Sequence, residues 1–298
     1  MRQYYPATGL STHCRLFGKS RQAFYDHQWR NQDQALQQGL LLDLVRKARG
    51  SLPHTGSLKL LAMLKQDFVV HGLTIGRDSF FKLLREHDLL VRKTKKYART
   101  TFSNHHYRKW PNLVEQWQPD GPVQLWVSDI TYVRTVSRFV YLALVTDAYS
   151  HKIIGYHLSQ QLKAQGCLIA LQKAISTLQQ PVTTLIHHSD RGIQYCCDPY
   201  VNKLLDNGIR ISMTQSGSPY DNAIAERVNG ILKVELGMDK TFKDYGEAVA
   251  ATHRAVDLYN RVRLHMSCGY LTPTLAHQTN GQLLKRWKAK KQKKNPLN

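Results

Sequence analysis

The chain predicts an α/β protein in which a mixed sheet flanked by helices follows a small all-α region. Residues 124–158 contain three consecutive runs rich in β-branched and aromatic side chains, separated by short turns. Beyond them helical periodicity alternates with short apolar runs, so the order reads βββαβαβα. Residues 1–91, by contrast, carry apolar positions at helical spacing.

Residues 9–29 combine a short apolar helix, the turn Gly18-Lys19-Ser20 and a second helix starting at a Ser cap, a pattern that fits either a small helix-turn-helix or two surface helices. A Leu-rich helix over residues 33–49 ends in Arg46, Lys47, Arg49 and Gly50, which suits a helix C-terminus. The next helix, over 57–70, has Leu58, Leu61, Leu64 and Phe68 as its expected stripe. Gly72 and Gly76 mark a turn, and Phe80, Phe81, Leu84 and Leu89 are the expected packing side of the helix that follows. This pair is the stronger helix-turn-helix candidate, with Arg77, Lys82 and Arg85 as its DNA-facing groups. Residues 91–110 interleave Lys and Arg with Tyr97, Phe102, Tyr107 and Trp110, as in a strap along DNA or an exposed linker. Asn104, His105 and His106 have no second ligand cluster at metal-binding spacing.

The sheet-forming part begins near Pro122. Strands are expected at 124–134, 138–146 and 152–158, then a helix over 163–178 burying Ala164, Cys167, Leu168, Leu171, Ala174, Ile175 and Leu178. A strand at 182–188, a helix at 199–207, a strand at 209–213 and a helix carrying Glu226 complete the order. That last helix has Ser218 as cap, Pro219 at its first position and Asp221 closing a capping box. Its stripe is Ile224, Val228, Ile231, Leu232 and Leu236, with Glu226, Asn229, Gly230 and Lys233 on the opposite side. Residues 245–264 read as one more helix, after which His265 to Pro273 folds back. The expected division is a helical region at 1–91, a basic linker at 92–121, a core at 122–240, a helical extension at 241–283 and a basic tail at 284–298.

Lys and Arg number 42 against 21 Asp and Glu, and the excess sits at the ends. Residues 1–100 hold 18 basic and 7 acidic side chains, and residues 281–298 hold 7 basic and none acidic. Charged arms around a nearly balanced middle suit a protein that grips a polyanion. The five cysteines form no CxxC pair, and no apolar run has membrane-spanning length, so a reduced cytoplasmic protein is expected. Three acids stand out. Asp129 interrupts a strand run, Asp190 ends one, and Glu226 lies early in a helix, with sixty residues between the first two and thirty-five between the second and third. Such carboxylates converging without basic partners repel one another unless hard divalent cations, Mg²⁺ or Mn²⁺, lie between them. Asp147, Asp198, Asp221 and Glu235 are rival acids, and strand-end or helix-cap roles suffice for Asp147 and Asp221.

The words WVSDITYV, HHSDRGIQY, GSPYDNAIAERVNGILKVEL and YNRVRLHMSCGYLTP resemble the DDE transposases and integrases with a ribonuclease-H-like core. They are most similar to the second-frame (OrfB) protein of bacterial insertion sequences of the IS-three family. With weaker similarity near the N-terminus, the resemblance covers nearly the whole chain. It implies a ribonuclease-H-like sheet whose first and fourth strands are neighbours, setting Asp129 beside Asp190. It also implies cleavage of insertion-sequence ends and their joining to other DNA, with Asp129 and Asp190 sharing two Mg²⁺ ions and Glu226 completing the coordination of one. Implied partners are the terminal repeats and target DNA, other copies of the chain in a multimer on DNA, and a first-frame OrfA protein. Lys233, Asn229 and Arg191 are candidate DNA contacts near the acids; His187 and His188 suit strand-end packing, and Arg261, Arg263 and His265 serve either DNA or structure. Two positions depart from the family pattern: Leu58 stands where a basic residue is usual, and Cys268 where Leu is more frequent. A ribonuclease-H-type nuclease and a catalytically idle DNA-binding regulator are the alternative functions.

Overall fold

The computed structural model describes residues 9–91, 106–115, 117–179, 184–215 and 222–284. The chain divides into two compact units, residues 1–50 with 56–91, and residues 51–55 with 92–298. The basic stretch 92–105, the tail 285–298 and the capping signal at Ser218, Pro219 and Asp221 lie outside the described residues. Among the described residues no helix is long and apolar enough to cross a membrane.

The first unit is all helical: α1 (Leu10–Leu16), α2 (Arg21–Ser51), α3 (Ser57–Met63), α4 (Lys65–Val70) and α5 (Arg77–Glu86). Ser20 caps α2, its Oγ accepting from the Ala23 amide at 3.0 Å, as the sequence predicts. The two helices expected between residues 20 and 49 are one continuous helix, with neither Gly nor Pro at the join between them. Conversely, the expected 57–70 helix breaks at Leu64. The buried stripe is also shifted: Leu60 is fully buried and Leu58 is 38% exposed. The stripes through Leu58 and Leu60 share Leu64 and Phe68, and the packing partner decides between them. That partner is the layer of Leu41, Leu42, Val45, Leu73, Phe80, Leu83 and Leu84.

In the second unit β1 (Leu125–Thr135), β2 (Phe139–Asp147) and β3 (Ile153–Ser159) form an antiparallel meander. There follow α6 (Ala164–Ile175), β4 (Ile186–Ser189), α7 (Ile193–Cys196), α8 (Asp198–Leu205), β5 (Arg210–Met213) and α9 (Ala223–Val234). The chain continues through β6 (Thr241–Phe242), α10 (Tyr245–Arg261) and α11 (Pro273–Ala276). The strand order is β3-β2-β1-β4-β5, with β4 parallel to both β1 and β5, and β6 pairs with the far end of β1. This mixed five-strand sheet with flanking helices is the ribonuclease-H-like arrangement. One face packs Trp126, Ala143, Val145, Ile211 and Met213 against α6 and α8 through Leu171, Ala174, Tyr200 and Leu204. The other packs Val133, Leu142, Leu144 and Ile153 against α9, β6 and α10 through Val228, Leu232, Phe242 and Tyr259. Burial on both faces explains why β1 and β2 read as near-continuous apolar runs.

At Gly155 in β3, a Cβ would collide with the backbone carbonyl of Ala170 in α6. Backbone cannot yield as a side chain can. Gly155→Ala is expected to lower unfolding free energy by about 3 kcal/mol, measured as a shifted urea midpoint at unchanged slope.

Candidate active site

The parallel register aligns Leu125 with Ile186, Trp126 with His187 and Val127 with His188. Continued by two residues, the same offset sets Asp129 level with Asp190 on the neighbouring strand. Both side chains are half-buried. Asp190 sits where β4 releases the chain, and its Oδ1 accepts from the Gly192 amide at 2.9 Å, turning the backbone toward α7. A side chain at position 192 would crowd that same oxygen, at 3.0 Å.

Asp129 Oδ1 accepts from the Ile130 amide at 2.9 Å, and Oδ2 from the Asn229 amide at 2.8 Å. These bonds favour the charged form, but burial, the charge of Asp190 and, less strongly, that of Glu226 outweigh them. The carboxyl is pushed from 3.8 up to about 7. An acid whose ionisation a neighbouring carboxylate opposes gains from a divalent cation between the two, and oxygen-only donors suit a hard one.

Glu226 lies in the first turn of α9 and is exposed. Among the described residues no three His, Cys, Asp or Glu side chains form a group that could hold a metal ion. As they stand, Asp129 and Asp190 are a pair, and Glu226 acts on Asp129 through its charge. Lys233, half-buried, loses proton affinity through burial, while Asp129 and Asp239 restore part of it.

Beneath the carboxylates the sheet is polar and tightly bonded. His187, fully buried, pairs through Nε2 with Ser128 Oγ at 2.7 Å and with Tyr200 Oη at 3.0 Å. Burial and neighbouring His188 push its pKa down to about 3, so the ring is neutral. His188 Nδ1 bonds Ser212 Oγ at 2.8 Å. These histidines form the floor of the site, the packing role the sequence suggests. Arg191, half-buried, begins the loop to α7.

Among the described residues α9 begins at Ala223 with Asn222 as N-cap residue. One expectation about its faces needs correction. Asn229, expected on the side opposite the core, is 7% exposed, because its amide is drawn in to Asp129. Sequence reasoning also missed Asn222, whose Nδ2 donates to the Ser128 carbonyl at 3.0 Å. The available signal was its spacing, seven residues before Asn229 and therefore on the same helix face.

The rival acids among the described residues sit elsewhere. Asp147 is fully buried and accepts from the Val123 amide and from the Ser150 amide and hydroxyl. Glu235 holds Arg263 with two bonds of 2.8 Å, and Arg263 is 2% exposed, which gives that arginine a structural role. His265 is buried against Tyr259, whereas Arg261 is on the surface, paired with Asp257. Asp198 opens α8. In the first unit Arg77, Lys82 and Arg85 are exposed along α5, Arg77 pairing with Asp78 and Lys82 lying 3.8 Å from Glu86. A cleft of about 770 Å³ lined in part by Trp117, Tyr149, His188, Asn222 and Ile224 opens beside the start of α9.

Two family profiles, both described as integrase core domain, match residues 119–219 and 207–273. The 31 kDa protein of insertion element IS600 of Shigella sonnei is 32% identical over 273 residues, 91% of this chain and 99% of its own. Transposase InsF for insertion sequence IS3A of Escherichia coli strain K12 is 36% identical over 193 residues, 64% of this chain and 66% of its own. Among solved structures, the HTLV-2 integrase catalytic core domain in complex with magnesium is 18% identical, covering 54% of this chain and 99% of its own, with a TM-score of 0.44. Since the IS600 protein is matched over almost its whole length and integrase-core profiles span the sheet, the chain belongs to the IS-three (IS3) family of insertion-sequence transposases, DDE polynucleotidyl transferases with an integrase core domain.

Proposed function

We propose that this chain cuts the ends of its own insertion sequence and joins them to other DNA, using Asp129, Asp190 and Glu226 as the catalytic carboxylates and Mg²⁺, or Mn²⁺ in its place, as cofactor. The observation that carries this reading is the pairing of Asp129 with Asp190 across adjacent parallel strands, together with the upward push that the charge of Asp190 gives the Asp129 carboxyl. Asp129, Asp190 and Glu226 would hold hard cations, which when bound would supply an acidified nucleophile and a counter-charge for the departing oxygen. The chain's own groups do the rest. Ile130 and Asn229 hold Asp129 in one orientation, the Gly192 amide holds Asp190, and the neutral His187 floor adds no charge to compete for the carboxylates. Lys233 and Arg191 flank the pair as cations for a scissile phosphate. Arg77, Lys82 and Arg85 suit recognition of a terminal repeat by the helical unit, and the basic stretches 92–105 and 285–298 suit non-specific grip.

Bridging two element ends calls for a multimer on DNA, with a first-frame OrfA protein as a further partner. A reducing cytoplasm accords with five cysteines that are all free and buried. Labelled element-end DNA incubated with the protein and Mg²⁺ separates the readings. Strand-transfer products are expected; simple cleavage alone points to a nuclease, and retardation without cleavage to an idle regulator.

A further inference from the structure

Helix α9 is fastened to β1 at two points by amide side chains on one helix face. Asn222 Nδ2 reaches the Ser128 carbonyl at 3.0 Å and Asn229 Nδ2 reaches Asp129 Oδ2 at 2.8 Å, so consecutive residues of the strand receive groups about two helical turns apart. Each asparagine is 7% exposed. An ionised carboxylate only accepts, which turns the nitrogen of Asn229 toward Asp129 and leaves its oxygen on the other side. Among the described residues the Oδ1 atoms of both asparagines are buried without a hydrogen-bond partner. Burying an unpaired amide oxygen costs stability, and an apolar side chain at either position avoids that cost. Glu226 lies between the two fastenings, one helical turn before Asn229.

We propose that Asn229, supported by Asn222, is a positioning residue. It orients the Asp129 carboxylate and fixes the stand-off of the helix that carries Glu226, so that the acids meet a divalent cation together. This inference rests on the proposed function above and changes the role of Asn229. Its amide nitrogen donates to Asp129 and the side chain is buried, so it serves the carboxylate and not a base or phosphate of DNA.

The test compares the full chain with Asn229→Leu, which fills a similar volume without a donor, and with Asn229→Ala, which removes the amide without adding a charge. Mn²⁺ binding is titrated in the absence of DNA by electron paramagnetic resonance, alongside end-DNA retardation and thermal melting. Both variants are expected to fold, to bind end DNA within about twofold of wild type, and to bind Mn²⁺ about tenfold more weakly. Joining by Asn229→Leu should recover as Mn²⁺ is raised. Unchanged Mn²⁺ affinity in either folded variant overturns the proposal, and so does a loss of DNA affinity at unchanged Mn²⁺ affinity, which makes Asn229 a DNA contact. Wild-type protein that binds no Mn²⁺ at all removes the proposed function itself. Wild-type binding that is lost in Asp129→Asn but untouched in both Asn229 variants removes this inference alone.

Discussion

Asp190→Asn and Asp129→Asn will each reduce joining of element ends by at least about 1,000-fold while end-DNA retardation stays within about twofold of wild type. Glu226→Gln is expected to act in the same direction. Each change removes one anionic oxygen donor without altering the basic surfaces that provide most of the DNA affinity. The Asp190 variant carries an internal control against misfolding. Asp190 is one of the charges raising the pKa of Asp129, so its removal relieves a repulsion in the cation-free protein. The melting temperature of cation-free Asp190→Asn should therefore rise at pH 8, even as joining disappears. A variant that melts earlier has lost activity through its fold; one that still joins DNA is not missing a catalytic carboxylate.

Cation affinity will depend steeply on pH below neutrality. With its carboxyl near pH 7, Asp129 must lose a proton before it can serve a cation, so Mn²⁺ affinity should climb about tenfold per unit between pH 5 and 7 and level off above. Stability of the cation-free protein runs the other way. A raised acid pKa means that the folded chain keeps a proton the unfolded chain releases above about pH 4. The contribution of Asp129 is then fully present below its unfolded value of 3.8 and is lost as pH climbs through about 7. Melting with and without Mn²⁺ across pH 4 to 8.5 reads both slopes. A flat Mn²⁺ affinity from pH 5 to 8 contradicts the raised pKa.

The sheet was readable in the sequence because its central strands are buried on both faces. Val140, Leu142, Leu144 and Val145 are all buried, and β1 to β3 fall within a residue or so of the expected bounds. The level pairing of Asp129 and Asp190 follows from the spacing once the first and fourth strands are known to be neighbours. Neighbourhood is a tertiary fact, and it came from family resemblance and from the βββαβαβα order. The helical unit was less readable, since Leu58 and Leu60 fit helical stripes equally well and only packing chooses Leu60.

The polar face of α9 was misread for a related reason. Periodicity assigns asparagine to the exposed side by its polarity, yet a carboxylate waiting on β1 makes burial of Asn229 favourable. Asn222 was hidden by the same logic. Local spacing carries no information about an acceptor some ninety residues away in the chain, here the Ser128 carbonyl.

Anomalous scattering from Mn²⁺-soaked crystals of the chain on its own element end examines the metal assignment at its root. Manganese is expected between the carboxylates of Asp129 and Asp190, with Glu226 drawn from the surface of α9 into its coordination. Manganese ordered elsewhere, or held at the two aspartates while Glu226 stays out of reach, contradicts it.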